Sequence, residues 1–167
     1  MTTRLGNAST ARRRTSMTSL IGLLSVMALV AGCACSAASP AVHTDPTVAA
    51  IRHVIAQDNT FGGGGNPFSR VVVDPKRADG TSLSAATKAA IVSELADLGD
   101  VEVSTSKVLD GEASIQVGAV VTTPTGVDIK VNMYCGNVCG LFATFTLVQW
   151  PGGGWTVTGT RGPIAVA

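Results

Sequence analysis

Three strand-like segments joined by two glycine-containing turns constrain the fold of this chain more than any other feature. They lie within residues 127–159, where apolar and polar side chains alternate with a period of two. In the first segment the apolar positions are separated by Asp128, Lys130, Asn132 and Tyr134. Such alternation is typical of strands with one buried face, and short turns favour antiparallel neighbours. The stretch therefore predicts an antiparallel meander whose second face, carrying these four residues, meets water or a partner.

Two helices and further strands are predicted ahead of the meander. Asp45 can cap the first helix, because its carboxylate accepts a backbone N–H and the following proline lacks one. Ser84 is the predicted cap of a second helix that ends near Gly99. Strands are indicated at 71–74, 101–104 and 115–122, and Val121 is expected on the buried face of the last of these. Together these elements predict an α+β fold, with two helices packed on an antiparallel sheet of about five to six strands that ends in the C-terminal meander.

The first 32 residues have the composition of an export signal. They contain four arginines and no acidic residue, and residues 20–31 are twelve nearly unbroken apolar positions. A membrane-spanning helix needs about 20 apolar residues, so this segment fits a signal peptide better. Residues 30–33, Val-Ala-Gly-Cys, resemble the lipobox of bacterial lipoproteins, in which the cysteine is lipidated and becomes the first residue of the mature protein. An ordinary signal peptide and an uncleaved membrane helix are the alternatives.

The lipobox resemblance implies a lipid anchor on Cys33 at the extracytoplasmic face of the cell membrane. We therefore expect a signal peptide at 1–32, a flexible tether at 33–44 and a single domain at 45–167. His43 falls in the tether and is expected to be an exposed, isolated histidine. Cleavage would leave eight basic and eleven acidic residues, a formal net charge of −3 instead of +1. Nucleic-acid binding is disfavoured because the basic residues are scattered rather than clustered.

Cys135 and Cys139 lie in the turn between two predicted strands. Thiols this close usually oxidise outside the cytoplasm, so a structural disulfide is predicted. A redox-active pair is one alternative, although the spacing is not that of a Cys-x-x-Cys motif. A zinc site would need about two more ligands, and Cys35 and both histidines lie near the mature N-terminus. We predict neither a metal ion nor a cofactor.

The C-terminal part of the chain resembles a group of exported proteins. The resemblance is carried by the Cys-Gly-Asn-Val-Cys-Gly turn, the strand after it, and the segment Gly-Trp-Thr-Val-Thr-Gly-Thr-Arg-Gly-Pro at residues 154–163. These features are similar to the C-terminal half of uncharacterised exported proteins and lipoproteins of actinobacteria. The order of helix, strand and capped helix upstream is similar too, so the resemblance covers most of residues 45–167. It implies a shared fold and assigns no activity.

The sequence contains no arrangement of acid, base and nucleophile that would mark a catalytic site. His53 is expected on the solvated face of the first helix, and Trp155 in the core. An enzyme is therefore less favoured than a lipid-anchored envelope protein that binds a partner without catalysis. The predicted contact residues are Asp128, Lys130, Asn132, Tyr134 and Trp150. The alternative is a carrier or sensor of a small apolar ligand held between the sheet and the helices.

Overall fold

The computed structural model describes residues 43–61, 64–136 and 139–167. The predicted signal peptide, Cys33, Cys35 and most of the predicted tether lie outside the described residues. In the described parts, two α-helices, a short 3-10 helix and the strands of one sheet follow one another along the chain. They are α1 (Pro46–Ala56), β1 (Val71–Val73), α2 (Ala85–Glu94), the 3-10 helix (Ala96–Leu98), β2 (Val101–Val103), β3 (Ala113–Thr123), β4 (Gly126–Tyr134), β5 (Gly140–Gln149), β6 (Trp155–Thr160) and β7 (Ala165–Val166).

Both helices begin at the predicted residues, because a side chain at each start accepts a backbone N–H of the first turn. Asp45 Oδ1 accepts from the Thr47 N–H at 2.7 Å, and Ser84 Oγ accepts from the Thr87 N–H at 3.0 Å. The two caps are also bonded to each other, since Thr87 Oγ1 donates to Asp45 Oδ2 at 2.7 Å. Three side chains of α1, Val48, Ile51 and Ile55, are fully buried and face the core.

The sheet is mixed, so the prediction of an antiparallel sheet is wrong for its first three strands. The strand order is β2-β1-β3-β4-β5-β6, and β7 pairs with β5. β1 runs parallel to both neighbours, with Val71 opposite Val101 on β2 and Ala113 on β3. α2 lies in the connection from β1 to β2 and carries the chain back, so that β2 can start in the same direction. From β3 to β6 the strands are antiparallel and form the predicted meander.

A β-bulge in β3 interrupts the predicted alternation of buried residues. Val117 pairs with Val131, whereas Val120 pairs with Ile129, so β3 has one extra residue at this point. An extra residue shifts the following side chains to the other face of the strand. The expectation that Val121 is buried is therefore wrong, because Val121 is 56% exposed.

Both helices pack on the same face of the sheet. α1 lies across β3 to β6, and α2 lies beside β2 and α1. The core between them forms one cluster, whose fully buried members include Ile51, Ile55, Ile91, Leu95, Ile129, Phe145 and Leu147. Neither helix covers the opposite face of the sheet, which we call the outer face.

The first described residue is held against the domain, so the expectation that His43 is exposed is wrong. Its carbonyl accepts from the Trp155 N–H at 2.8 Å, and its Nδ1 lies 2.9 Å from Glu94 Oε2. His53 is also more enclosed than a solvated surface histidine, because its ring packs edge-on against Phe145 with the centroids 5.1 Å apart. These partners lie far away in the sequence, and a local pattern cannot indicate them.

Candidate interaction surface

The four predicted contact residues of β4 form one row on the outer face, but their surroundings differ. Tyr134 is 47% exposed, and Lys130 is exposed as well. Asn132 is half-buried, whereas Asp128 is only 7% exposed. The row is therefore accessible at its Tyr134 end and closed at its Asp128 end.

Asp128 is enclosed by two polar partners on the outer face. Arg161 Nε lies 2.5 Å from Asp128 Oδ2, and Thr146 Oγ1 donates to Asp128 Oδ1 at 2.9 Å. The backbone of Arg161 is fixed in turn, because its N–H donates to the Thr144 carbonyl at 2.8 Å. The carboxylate is thus bound within the domain and offers little area to a partner.

At the accessible end, aromatic and amide side chains from three neighbouring strands lie side by side. Asn132 on β4 is flanked by Gln116 on β3 and by Phe142 on β5. The rings of Tyr134 and Phe142 meet edge to face with their centroids 5.2 Å apart. We call this group the Tyr134 patch, and its members are Ser114, Gln116, Asn132, Tyr134 and Phe142.

One atom of the Tyr134 patch lacks a partner. Asn132 Oδ1 is buried and accepts no hydrogen bond from the described residues. The neighbouring amide of Gln116 donates instead to Asp74 Oδ2, at 3.4 Å. A shallow hollow of about 190 Å³ adjoins the patch and is lined by Asp74, Ser114, Gln116 and Tyr134. Asn132 does not line this hollow, and a buried acceptor without a donor costs about 1–3 kcal/mol.

The structure does not bring Trp150 to the Tyr134 patch. Trp150 follows the end of β5 and is 55% exposed, whereas Tyr134 pairs with Gly140 at the start of β5. A strand rises about 3.3 Å per residue, so roughly 30 Å separate the two ends of β5. The other tryptophan, Trp155, packs against the core but is only partly buried.

The predicted disulfide between Cys135 and Cys139 is present, and the two Cα atoms are 5.2 Å apart. The Cys135 N–H also donates to the Cys139 carbonyl at 3.0 Å. Cys135 directly follows Tyr134, the last residue of β4. The disulfide therefore closes the turn at the end of the hairpin that carries the Tyr134 patch.

Residues 43–61, 64–136 and 139–167 contain no group of three or more His, Cys, Asp and Glu side chains that could hold a metal ion. In the same parts of the chain, no helix has the length and apolarity needed to cross a bilayer.

Comparisons with protein-family models, with curated proteins and with solved structures found no significant match to this chain. Its function must therefore be inferred from its own residues.

Proposed function

We propose that this protein is a lipid-anchored lipoprotein of the cell envelope, and that its domain binds another envelope component through the Tyr134 patch. The observation that carries the binding proposal is the uneven covering of the sheet. Both helices pack on one face, while the outer face presents the exposed Tyr134, whose ring meets that of Phe142. The anchoring proposal rests on the lipobox-like residues 30–33, which lie outside the described residues.

The chemistry of the patch suits a specific contact without catalysis. Aromatic side chains are enriched in the centres of protein interfaces, because they bury a large area with few rotatable bonds. Tyr134 offers such a ring together with a hydroxyl, and the disulfide in the next turn fixes the end of its strand. Exposed Lys130 lies in the same row and adds a cationic donor.

The packing of the core favours surface binding over transport of an internal apolar ligand. Pockets that enclose drug-sized ligands typically measure about 300–1,000 Å³. Here the space between helices and sheet is occupied by large, fully buried side chains such as Ile55, Phe145 and Leu147. Native mass spectrometry of the purified protein tests the alternative directly. Repeated recovery of one bound apolar molecule would favour a carrier.

Site-specific photo-crosslinking in intact cells tests the surface. A photoreactive amino acid is placed at Tyr134 and, as a matched control, at Val92 on α2. The two positions are 47% and 48% exposed, and Val92 lies on the helical side of the domain. We expect a discrete crosslinked product from position 134 and none from position 92. The same products from both positions, or none from either, would contradict the proposal.

The anchor has its own matched pair of variants. Cys33→Ala removes the residue that the lipobox resemblance marks for lipidation, whereas Cys35→Ala changes a cysteine two positions later. We expect the Cys33 variant to leave the membrane fraction and the Cys35 variant to remain there with a lipid on its N-terminus. Retention of an unlipidated Cys33 variant would refute the anchor and leave the crosslinking result to stand alone.

A further inference from the structure

A small cleft between α1 and β6 has a composition different from that of the Tyr134 patch, and the two share no residue. Its volume is about 90 Å³, which is well below the size of a drug-sized ligand pocket. The polar and aromatic residues of its lining are His43, Arg52, His53, Gln57, Trp155 and Thr156. The cleft therefore has room only for a small group.

Three of the lining side chains are basic, and each is bonded to a carboxylate that is not part of the lining. The pairs are His43 with Glu94, Arg52 with Asp97, and His53 with Asp58. The lining itself includes no acidic side chain. The carboxylates thus hold the basic groups in place from outside the cleft. The lining itself offers hydrogen-bond donors and two imidazole rings.

Arg52 keeps a positive charge beside the cleft. Its guanidinium donates to both carboxylate oxygens of Asp97, and also to the Glu94 carbonyl at 3.2 Å. The hydrogen bonds with Asp97 raise the pKa of Arg52 and lower the pKa of Asp97. A metal cation in the cleft would be repelled by this charge.

His43 has one ring nitrogen with a carboxylate partner and one with none. Its side chain is 6% exposed, and Nδ1 lies 2.9 Å from Glu94 Oε2. An ionised carboxylate can only accept a hydrogen bond, so Nδ1 carries a hydrogen. In the neutral ring, Nε2 then has a free lone pair. The second Glu94 oxygen accepts from Thr44 Oγ1 at 2.8 Å, which fixes the carboxylate. Nε2 is buried without a partner among the described residues.

We propose that the cleft binds a small oxyanion, a carboxylate or phosphate group, together with one proton on His43. The proton comes from solvent and is added to Nε2, which then donates to an oxygen of the anion. Glu94 stabilises the resulting imidazolium from the far side of the ring, as a carboxylate behind a histidine does in many sites. Arg52 and Gln57 line the same space and supply positive charge and an amide.

The charges around His43 fit this exchange. The ionisable groups that face it are Glu94 of α2, Arg52 and His53 of α1, and Asp97 of the 3-10 helix; β6 contributes the neutral Trp155. With His43 neutral, the nearest fixed charges are the two carboxylates and one guanidinium. Protonation of His43 adds a second positive charge beside the two carboxylates. The oxyanion then accepts a hydrogen bond from the protonated Nε2.

Calorimetric titration of the purified full-length chain tests the site, with sodium acetate and inorganic phosphate as separate ligands at pH 5.5 and pH 7.5. We expect saturable binding of at least one of them, and the preferred anion identifies the group as carboxylate or phosphate. Because binding takes up a proton, acetate should bind more tightly at pH 5.5 than at pH 7.5. Buffers of different ionisation enthalpy should report uptake of about one proton. Absence of saturable binding by both anions would overturn the proposal.

The chain contains two histidines, so imidazole nitrogen NMR can follow each of them. In the free protein at pH 7.5, His43 should carry its hydrogen on Nδ1, and addition of the bound anion should protonate Nε2. His43→Gln should abolish the proton uptake and weaken binding at least tenfold. The matched variant His53→Gln should retain the uptake. A hydrogen on Nε2 of His43 in the free protein would refute the proposal even if the Gln variant does not fold.

Discussion

Arg161 Nε lies 2.5 Å from Asp128 Oδ2, so the segment after β6 is bonded back to a carboxylate on β4. The two side chains differ greatly in accessibility, since Arg161 is 65% exposed and the Asp128 side chain 9%. The pair therefore joins an enclosed acceptor to a donor that water reaches freely. The two residues should differ in their contribution to stability.

Asp128→Ala should lower the free energy of unfolding by about 1.5–3 kcal/mol, because it removes the acceptor of both Arg161 and Thr146. Arg161→Ala should cost less than about 1 kcal/mol, since water can replace an exposed guanidinium. Urea denaturation of the two variants beside the wild type measures the difference. Equal losses would contradict the prediction, because they would show that water does not replace the Arg161 guanidinium beside Asp128.

Two glycines in the meander should respond very differently to alanine. A Cβ at Gly126 would lie 2.0 Å from the Leu147 carbonyl oxygen, whereas a Cβ at Gly159 would meet nothing within 4 Å. Gly126→Ala must therefore displace backbone and should destabilise the protein by about 1–3 kcal/mol or more. Gly159→Ala should change stability by less than about 0.5 kcal/mol. Thermal unfolding of both variants checks the contrast, and a tolerated Gly126 variant would contradict the β4–β5 packing.

The disulfide should make a modest contribution to stability because its two cysteines are only four positions apart in sequence. Chain entropy predicts about 2 kcal/mol for so short a loop. The double variant Cys135→Ala with Cys139→Ala should lose about that amount in urea denaturation under oxidising conditions. Under a reducing agent the wild type and the variant should differ far less. If the reducing agent left the difference in stability between the two proteins unchanged, the cysteines would stabilise the fold through packing alone.

The pair of Arg70 and Glu112 should make stability depend on pH in the acid range. Arg70 bonds both oxygens of Glu112, at 3.1 and 2.8 Å, and with the Leu109 N–H it lowers the pKa of Glu112. A folded-state pKa below the unfolded value, about 4.3 for glutamate, gives stabilisation that is complete above pH 4.3. That stabilisation is lost as the pH falls through the lowered pKa.

Glu112→Gln should therefore be less stable than the wild type at pH 6, and the gap should narrow as the pH falls from 5 towards 3. Glu102→Gln is the matched control, because Glu102 accepts one bond from the Arg70 guanidinium, at 3.0 Å, and is more exposed. Its loss at pH 6 should be smaller. Urea denaturation at several pH values measures both variants. If the difference in the free energy of unfolding between wild type and Glu112→Gln grew as the pH fell, the prediction would be wrong.

Local patterns predicted the elements that depend on local chemistry. Asp45 and Ser84 were identifiable as caps because each cap bonds to an N–H only two or three residues away. The meander was predictable because its apolar residues alternate and its turns are short. The cysteine pair was predictable because both thiols lie in one turn.

The remaining features depend on partners that are distant in sequence. The apolar run Val71–Val73 indicates a buried strand and does not indicate the direction of the neighbouring strands, so the parallel pairs of β1 were missed. The bulge in β3 left no signal except Gly118, which a strand can contain for other reasons. Alternation placed Asn132 and Tyr134 on one face of their strand, but their neighbours Gln116 and Phe142 follow only from the register of β3 and β5 against β4.

The contact between His43 and Trp155 also sets the route by which a mechanical load reaches the domain. Within the sheet His43 makes one isolated bridge, in which its carbonyl accepts from the Trp155 N–H of the edge strand β6, and its side chain adds one contact between Nδ1 and Glu94 Oε2. A single bridge opens under less force than the continuous ladder between β4 and β5. We expect optical-tweezer traces to show release of His43 as a small first step. With the proposed anchor on Cys33, His43 would be released before the pulling force reached the strands that carry Tyr134.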